Sequence, residues 1–335
     1  GNINKKSFKV RVGASEAGIT LNTPLFLKEK NRSNTTLMLS LRRSYLQFVF
    51  ALVGLPIRPD YWDYQWKIDH KFDKYNSISF IGLGSIDDFS VVAPDDFDAE
   101  QQSTIEQVPI IQQKTRTLGL SWKRNFKSGK GRMRTVLSSN RLQNLFSRFS
   151  DNEKKKGVLF ENDSQEIETK LRVKVIRFPN QWKFSYGLNF QNSTYKNNTF
   201  SLLNDFNYDT NFSFFKYGFF ANGSRSFINN RLSFSFGFRF DADTFSKGSS
   251  LFENLSPRLA TSYNISQDGK WKLNSSIGRY YKIPTYTMLG FRDNKGIYIN
   301  KNLKYTQSDH FVIGIEHNFS NSSRVTIEGF IKNYS

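Results

Sequence analysis

An apolar/polar alternation of period two recurs along almost the whole chain and limits its fold more than any other feature. Residues 255–289 show it most cleanly. Leu259, Thr261, Tyr263 and Ile265 fall on one face of a strand, with Arg258, Ala260, Ser262 and Asn264 on the other. Asp268-Gly269 then supplies the positive φ that a tight reversal requires. Beyond the turn, Trp271, Leu273, Ile277 and Tyr281 line one face and Lys272, Asn274, Ser276, Gly278 and Lys282 the other. Each strand runs for about ten residues, the length at which a tilted barrel strand crosses the hydrocarbon of a membrane. Soluble sandwich strands alternate too, so one hairpin decides nothing.

The rest of the chain repeats the pattern. Trp62, Tyr64, Trp66, Ile68 and Phe72 oppose Asp63, Gln65, Lys67, Asp69 and Lys71. Trp182, Phe184, Tyr186, Leu188 and Phe190 oppose Lys183, Ser185, Gly187, Asn189 and Gln191. Leu232, Phe234, Phe236, Phe238 and Phe240 oppose Ser233, Ser235, Gly237, Arg239 and Asp241. Further strands are predicted over 7–13, 18–27, 37–45, 77–86, 115–126, 132–149, 169–178, 215–225, 311–319 and 325–331, about fifteen in all by the strand periodicity. The connections alternate as well. Short turns are predicted at 28–34, 73–76, 127–131, 179–181, 227–230, 266–270 and 320–323. Longer loops are predicted at 50–60, 87–114, 150–166, 196–210, 246–256 and 290–308. Short turns at one end and long loops at the other are the asymmetry of a bacterial outer-membrane barrel. The fold class is therefore all-β, an antiparallel transmembrane barrel.

Composition agrees. Aromatic residues make up 16% of the chain while hydrophobic residues in total reach only 38%, which fits strands greasy on one face and wet on the other. The chain has no cysteine, which excludes disulfides and thiolate metal sites, and its three histidines lack metal-ligand spacing. A net charge of +19 raises the question of nucleic acid, but the lysines and arginines are spread along the chain rather than gathered in a patch. No apolar run reaches the 18 or so residues of a membrane helix; the longest, 46–57, is broken by Gly54 and Pro56. Residues 1–6 do not read as a secretory signal.

An odd number of strands cannot close an antiparallel barrel, and open edges in lipid leave unpaired amides. More strands are therefore expected after Ser335, in this chain or another.

Several motifs, persuasive mainly through their order, resemble the TonB-dependent outer-membrane receptors. Leu255-Ser256-Pro257-Arg258-Leu259 opens one strand, and Gly278-Arg279-Tyr280-Tyr281-Lys282-Ile283-Pro284 ends its partner. Asn302-Leu303-Lys304, the strands at 310–319 and 325–334, and the early segments 18–24, 41–45 and 61–72 agree. The chain is most similar to receptors of Bacteroidetes-type bacteria. The resemblance implies a 22-stranded barrel in the bacterial outer membrane, of which residues 1–335 form part. It implies a plug domain, which is not found in this sequence, and import of a scarce nutrient energised by the TonB–ExbB–ExbD system. Outer-membrane lipid and lipopolysaccharide are implied contacts, with a surface lipoprotein as a further possible partner. No cofactor is implied.

No GxSxG, HExxH, P-loop or CxxC pattern occurs, and the chain does not read as an enzyme. Asp95, Asp96 and Asp98, with Glu100, offer oxygen ligands for calcium or simply form a solvated loop. Lys67, Arg172, Lys174, Lys183, Arg239 and Arg279 read as lumen-facing cations. They would draw anionic solutes, or pair with plug carboxylates or with one another. Arg42, Arg43, Lys183 and Arg239 are the candidate plug contacts. Arg279, Tyr280 and Tyr286 are candidates for substrate binding, although Tyr280, Tyr281 and Tyr286 also suit an interfacial aromatic girdle. A passive porin and a barrel scaffold for a surface complex remain as alternatives to active import.

Overall fold

The computed structural model describes residues 6–26, 33–92, 105–246, 250–320 and 322–335. Fifteen strands hydrogen-bond in simple sequence order. They are β1 (Ser7–Val12), β2 (Glu16–Leu25), β3 (Thr35–Ser44), β4 (Ile57–Lys71), β5 (Asn76–Val91), β6 (Ile110–Asn125), β7 (Gly131–Asp151) and β8 (Lys156–Arg177). They continue with β9 (Trp182–Ser201), β10 (Phe206–Phe227), β11 (Leu232–Asp243), β12 (Ser256–Asn264), β13 (Trp271–Lys282), β14 (Thr306–Ser320) and β15 (Ser323–Tyr334). Among the described residues the helices α1 (Leu46–Leu52) and α2 (Tyr286–Leu289) occupy connections. The chain divides into two compact units, and strands β6 to β10 contribute to both.

The first unit holds β1 to β5 and segments 136–170 and 193–213. Its register confirms the alternation: Leu37, Leu39 and Leu41 lie opposite Ile68, Trp66 and Tyr64. On the same face Trp66 is paired with Gly82 and Tyr64 with Gly84. A Cβ on Gly82 would lie 2.3 Å from the Trp66 indole, so the ring occupies the space a side chain would need. The apolar side chains of this face point away from the protein: Val12, Leu41, Trp62 and Phe80 are all exposed. A soluble sandwich would bury them in a core. A membrane barrel leaves them to lipid and satisfies its backbone by pairing between strands.

The second unit holds segments 123–135 and 171–192 and everything from Phe214 onward. The β12–β13 hairpin pairs Leu259 with Ile277 and Tyr263 with Leu273, the expected register. Gly269 takes φ +71° in its turn. The β10–β11 turn is unusual, since Ile228, Asn229 and Asn230 all have positive φ.

Two of the expected long loops are corrected. Residues 150–166 and 196–210 are mostly strand, and the connections are the four-residue turns 152–155 and 202–205. These stretches are rich in polar residues and lack a regular apolar face, so the alternation disappears while strand pairing continues. Asn162 donates to Thr199 Oγ1 at 2.6 Å, and the Thr194 and Ser213 hydroxyls meet at 2.7 Å. The 22 residues of β8 extend for about 70 Å at 3.3 Å each, far beyond the ~30 Å hydrocarbon even when tilted. Much of the strand therefore lies outside the membrane. The expected 87–114 loop is also shorter, because β5 continues to Val91 and β6 begins at Ile110. Asn152, in the β7–β8 turn, ties this region down by donating to Ile105 O at 2.6 Å and Val108 O at 3.2 Å. Helix α1 occupies part of what reads as a loop and buries none of its side chains.

Candidate functional site: a cationic recess

Polar-face side chains of β9 to β13 in the second unit enclose a recess of about 430 Å³. It lies toward the end of the strands where the longer connections are. Lys216, Arg239, Arg258 and Lys282 bring four cations to its lining, together with Asn189, Gln191 and Asp241. Arg239 forks onto Asp241 with contacts of 2.5 and 2.6 Å, so its charge is largely matched. Arg258 lies 4.4 Å above the Tyr280 ring. A ring face holds a guanidinium without neutralising it. Neither Arg258 nor Lys282 has a carboxylate partner among the described residues.

The connection from residue 283 to 305 closes one side. Pro284 follows β13, and Thr285 caps α2 by accepting from Met288 N at 3.4 Å. This places Tyr286 and Leu289 in the interior, and Leu289 is fully buried. The Tyr286 hydroxyl accepts from Lys216 Nζ at 2.7 Å and from Gln191 Nε2 at 3.2 Å. Its ring packs edge-on against Phe214 with centroids 5.4 Å apart. Further along, Asp293 Oδ1 accepts from the backbone of Lys295 and Ile297, with Gly296 at φ +77°. Asn300 returns a hydrogen bond to Met288 O at 2.8 Å. In the neighbouring 244–255 connection Ser250 and Glu253 cap each other. The backbone N–H and hydroxyl of Ser250 hold the Glu253 carboxyl below its ordinary pKa.

The residues singled out in the sequence fall into three groups. Arg239 and Tyr280 are on the polar face at or beside the recess. Tyr286 is at the recess too, but as a buried anchor. Lys183 lies on the polar face nearer the short turns, in a second recess of about 580 Å³ floored by serines such as Ser224, Ser235 and Ser262. In the first unit Lys67 pairs with Asp69 at 2.7 Å, and Arg42 bridges Asp63 at 2.6 Å and Glu16 at 3.1 Å.

Two assignments are corrected by strand phase. Arg279 shares its face with Trp271, Leu273 and Ile277, and it pairs there with Asp309 at 2.7 and 2.9 Å rather than facing the polar side. Arg43 shares its face with Leu39 and Leu41, lies 4.7 Å over Trp62 and pairs with Asp60 at 3.3 Å. Both arginines sit on the apolar face of their strands. Asp95, Asp96 and Asp98 lie outside the described residues. Among the described residues no group of three His, Cys, Asp or Glu is placed to hold a metal.

Sequence reasoning missed Lys216 because Phe214 and Phe220 share its face and hide the phase. It passed over Arg258 and Lys282 although their phase was plain. Their position diagonal to a cross-strand tyrosine or at a strand end was the available signal.

The comparisons follow this geometry. No curated protein matches the chain in sequence. The solved structure of the copper transporter OprC superposes with a TM-score of 0.69 at 12% identity, covering 95% of this chain and 51% of that one. The siderophore receptor PirA from Acinetobacter baumannii gives 0.68 at 11%, covering 95% and 50%. The ferric enterobactin receptor PfeA from Pseudomonas aeruginosa gives 0.68 at 14%, also covering 95% and 50%. At these identities the likeness shows the fold, and the chain spans about half the length of the structures it matches. The TonB dependent receptor-like, beta-barrel family matches residues 44–335. The chain belongs to this family of TonB-dependent receptor barrels of the bacterial outer membrane, which are receptors rather than enzymes.

Proposed function

We propose that residues 1–335 are barrel throughout, part of a receptor that imports a scarce nutrient by TonB-coupled active transport. The observation that carries this reading is the cationic recess on the polar face, within a chain of the TonB-dependent receptor family. The polar face is the lumen in such barrels. Its uncancelled cations, Arg258 and Lys282, favour an anionic solute by focusing a positive field in a cleft. The plug that coupling requires comes from outside these residues and contacts the serine-floored recess around Lys183. Coupling runs through that plug to the TonB–ExbB–ExbD system. The order of the motifs at 255–259 and 278–284 supports a Bacteroidetes-type receptor. Metal chelates are the first solutes to test, because the matched structures include a copper transporter and siderophore receptors.

The test is uptake of radiolabelled iron and copper chelates by a deletion strain carrying the intact gene or its Arg258→Gln variant, with and without functional TonB. Import that requires TonB, and that falls about tenfold in affinity in the variant, is expected; tenfold corresponds to roughly 1.4 kcal/mol, near the worth of one charge-assisted hydrogen bond. Uptake indifferent to TonB, with steady conductance in a planar bilayer, would replace this reading with a passive porin.

A further inference from the structure

At the short-turn end of the second unit, three arginines lie on aromatic rings where the apolar face stops. Arg177 sits 4.7 Å over Phe126. Arg225 sits 4.9 Å over Phe227 and 5.8 Å over Trp182. Arg231 sits 5.5 Å over Tyr263. The rings belong to the membrane-facing side: Tyr263 lies opposite Leu232 and Leu273, and Phe227 lies opposite Leu232. Phe126 follows the phase of Leu118, Leu120 and Trp122.

None of the three has a carboxylate partner among the described residues. The Arg177 guanidinium makes no hydrogen bond among the described residues and the residue is exposed. Arg225 donates to Gln181 Oε1 at 2.8 Å, while its buried Nε lacks an acceptor. Arg231 donates to the carbonyls of Asn264 and Ile265, which uses part of its fork. Lys127, Lys130 and Lys270 stand in the adjoining turns, where Asp268 is paired with Lys270. Cations thus predominate at this rim.

We propose that this rim is a binding site for the phosphates of anionic phospholipid. Four arguments lead there. An aromatic belt marks the height of lipid headgroups in a membrane barrel. Short turns place this end in the periplasmic leaflet. A guanidinium stacked on a ring is fixed in orientation yet keeps its full charge, and it presents donors in the fork that matches phosphate oxygens. The exposed guanidinium of Arg177, with no hydrogen-bond partner among the described residues, is a set of donors still without an acceptor, and a headgroup phosphate supplies one. The proposal depends on membrane insertion and not on what the receptor transports.

The test is native mass spectrometry of the full-length protein titrated with phosphatidylglycerol or with zwitterionic phosphatidylethanolamine. Phosphatidylglycerol should bind more tightly, with an affinity that falls as salt rises. The triple variant Arg177→Gln, Arg225→Gln, Arg231→Gln should lose about a hundredfold of that affinity. This follows from about fivefold for each basic residue at an anionic surface. Lys295→Gln, Lys301→Gln, Lys304→Gln, which removes equal charge from the 283–305 connection at the opposite end of the second unit, should bind as the wild type does. If the triple variant fails to fold, judged by heat-modifiable mobility, Arg177→Gln alone should still bind about fivefold more weakly. Its guanidinium makes no hydrogen bond within the described chain. Equal binding of the two lipids, an unaffected arginine variant, or an equal loss in the opposite-end control would each overturn the proposal.

Discussion

Tyr286 should hold the 283–305 connection against the recess, and its removal should free that connection without unfolding the barrel. The side chain is 8% exposed, its ring packs on Phe214, and its hydroxyl takes hydrogen bonds from Lys216 and Gln191. Truncating a buried aromatic to alanine costs about 3–5 kcal/mol. The connection keeps other anchors: Leu289 stays buried, Phe245 and Tyr298 pack edge-on at 5.2 Å, and Asn300 still bonds to Met288 O. The lower figure is therefore appropriate, and about 3 kcal/mol raises the open population roughly a hundredfold. Tyr286→Phe keeps the ring and loses only the acceptor. About 1.5 kcal/mol for a hydrogen bond to a charged donor makes the increase roughly tenfold.

Limited trypsin digestion reads this out, because Arg292, Lys295, Lys301 and Lys304 all lie in the connection. When opening and closing are fast relative to cleavage, the rate follows the open population. Cleavage should rise in the order wild type, Tyr286→Phe, Tyr286→Ala, while heat-modifiable mobility of the barrel stays unchanged. Cleavage of Tyr286→Ala at the wild-type rate would refute the anchoring argument. Equal rates for the two variants would show that the hydroxyl, and not the ring, supplies the hold.

Three further outcomes are expected. Ile228→Asn should raise the urea midpoint in detergent by the equivalent of about 1 kcal/mol, because a β-branched residue is held at φ +52° in the β10–β11 turn. Gly187→Ala should prevent assembly or destabilise it by more than about 3 kcal/mol, above the usual cost of overpacking. Its Cβ would lie 2.1 Å from Val173 O, and backbone cannot yield as a side chain can. Asp268, in the exposed β12–β13 turn, has its pKa lowered to about 2 by the Ser266 hydroxyl and the Lys270 backbone N–H. Its stabilising effect should be complete above its unfolded value near 4 and should fade as pH drops toward 2, a dependence that Asp268→Asn removes and an acid titration of unfolding detects.

The alternation made the architecture readable wherever one face meets lipid. Trp62 to Phe72 and Leu232 to Phe240 announce their strands because each second residue must be apolar in that zone. The same signal fails where both faces meet water. Residues 196–201 and 206–210 are strand, yet Asn, Thr, Ser and Asp there look like a loop. Pairing is carried by backbone hydrogen bonds and by polar cross-strand contacts such as Thr194–Ser213, and neither leaves a period in hydrophobicity. Phase also shows which arginines were placed on the wrong face. Counting by twos from Leu273 through Ile277 puts Arg279 with the apolar residues, and Asp309 opposite it lets a charge remain there as a pair.

The recess itself was only partly readable, for a reason that bears on its function. Sequence gives the face of a cation but not whether another group cancels it. Arg239 and Arg258 share the polar face, one strand apart, and look equivalent in the sequence. In the structure Arg239 is forked onto Asp241, whereas Arg258 rests on the Tyr280 ring. A carboxylate removes most of the field of its partner, while a ring fixes the position of a cation and leaves its field intact. The two residues therefore have different consequences for an anion entering the recess. Arg239→Gln frees Asp241 and introduces an unmatched negative charge, so it weakens anion binding indirectly. Arg258→Gln removes the positive charge that the site presents. Arg239→Gln with Asp241→Asn together should restore most of what the first change loses, and no equivalent partner change exists for Arg258.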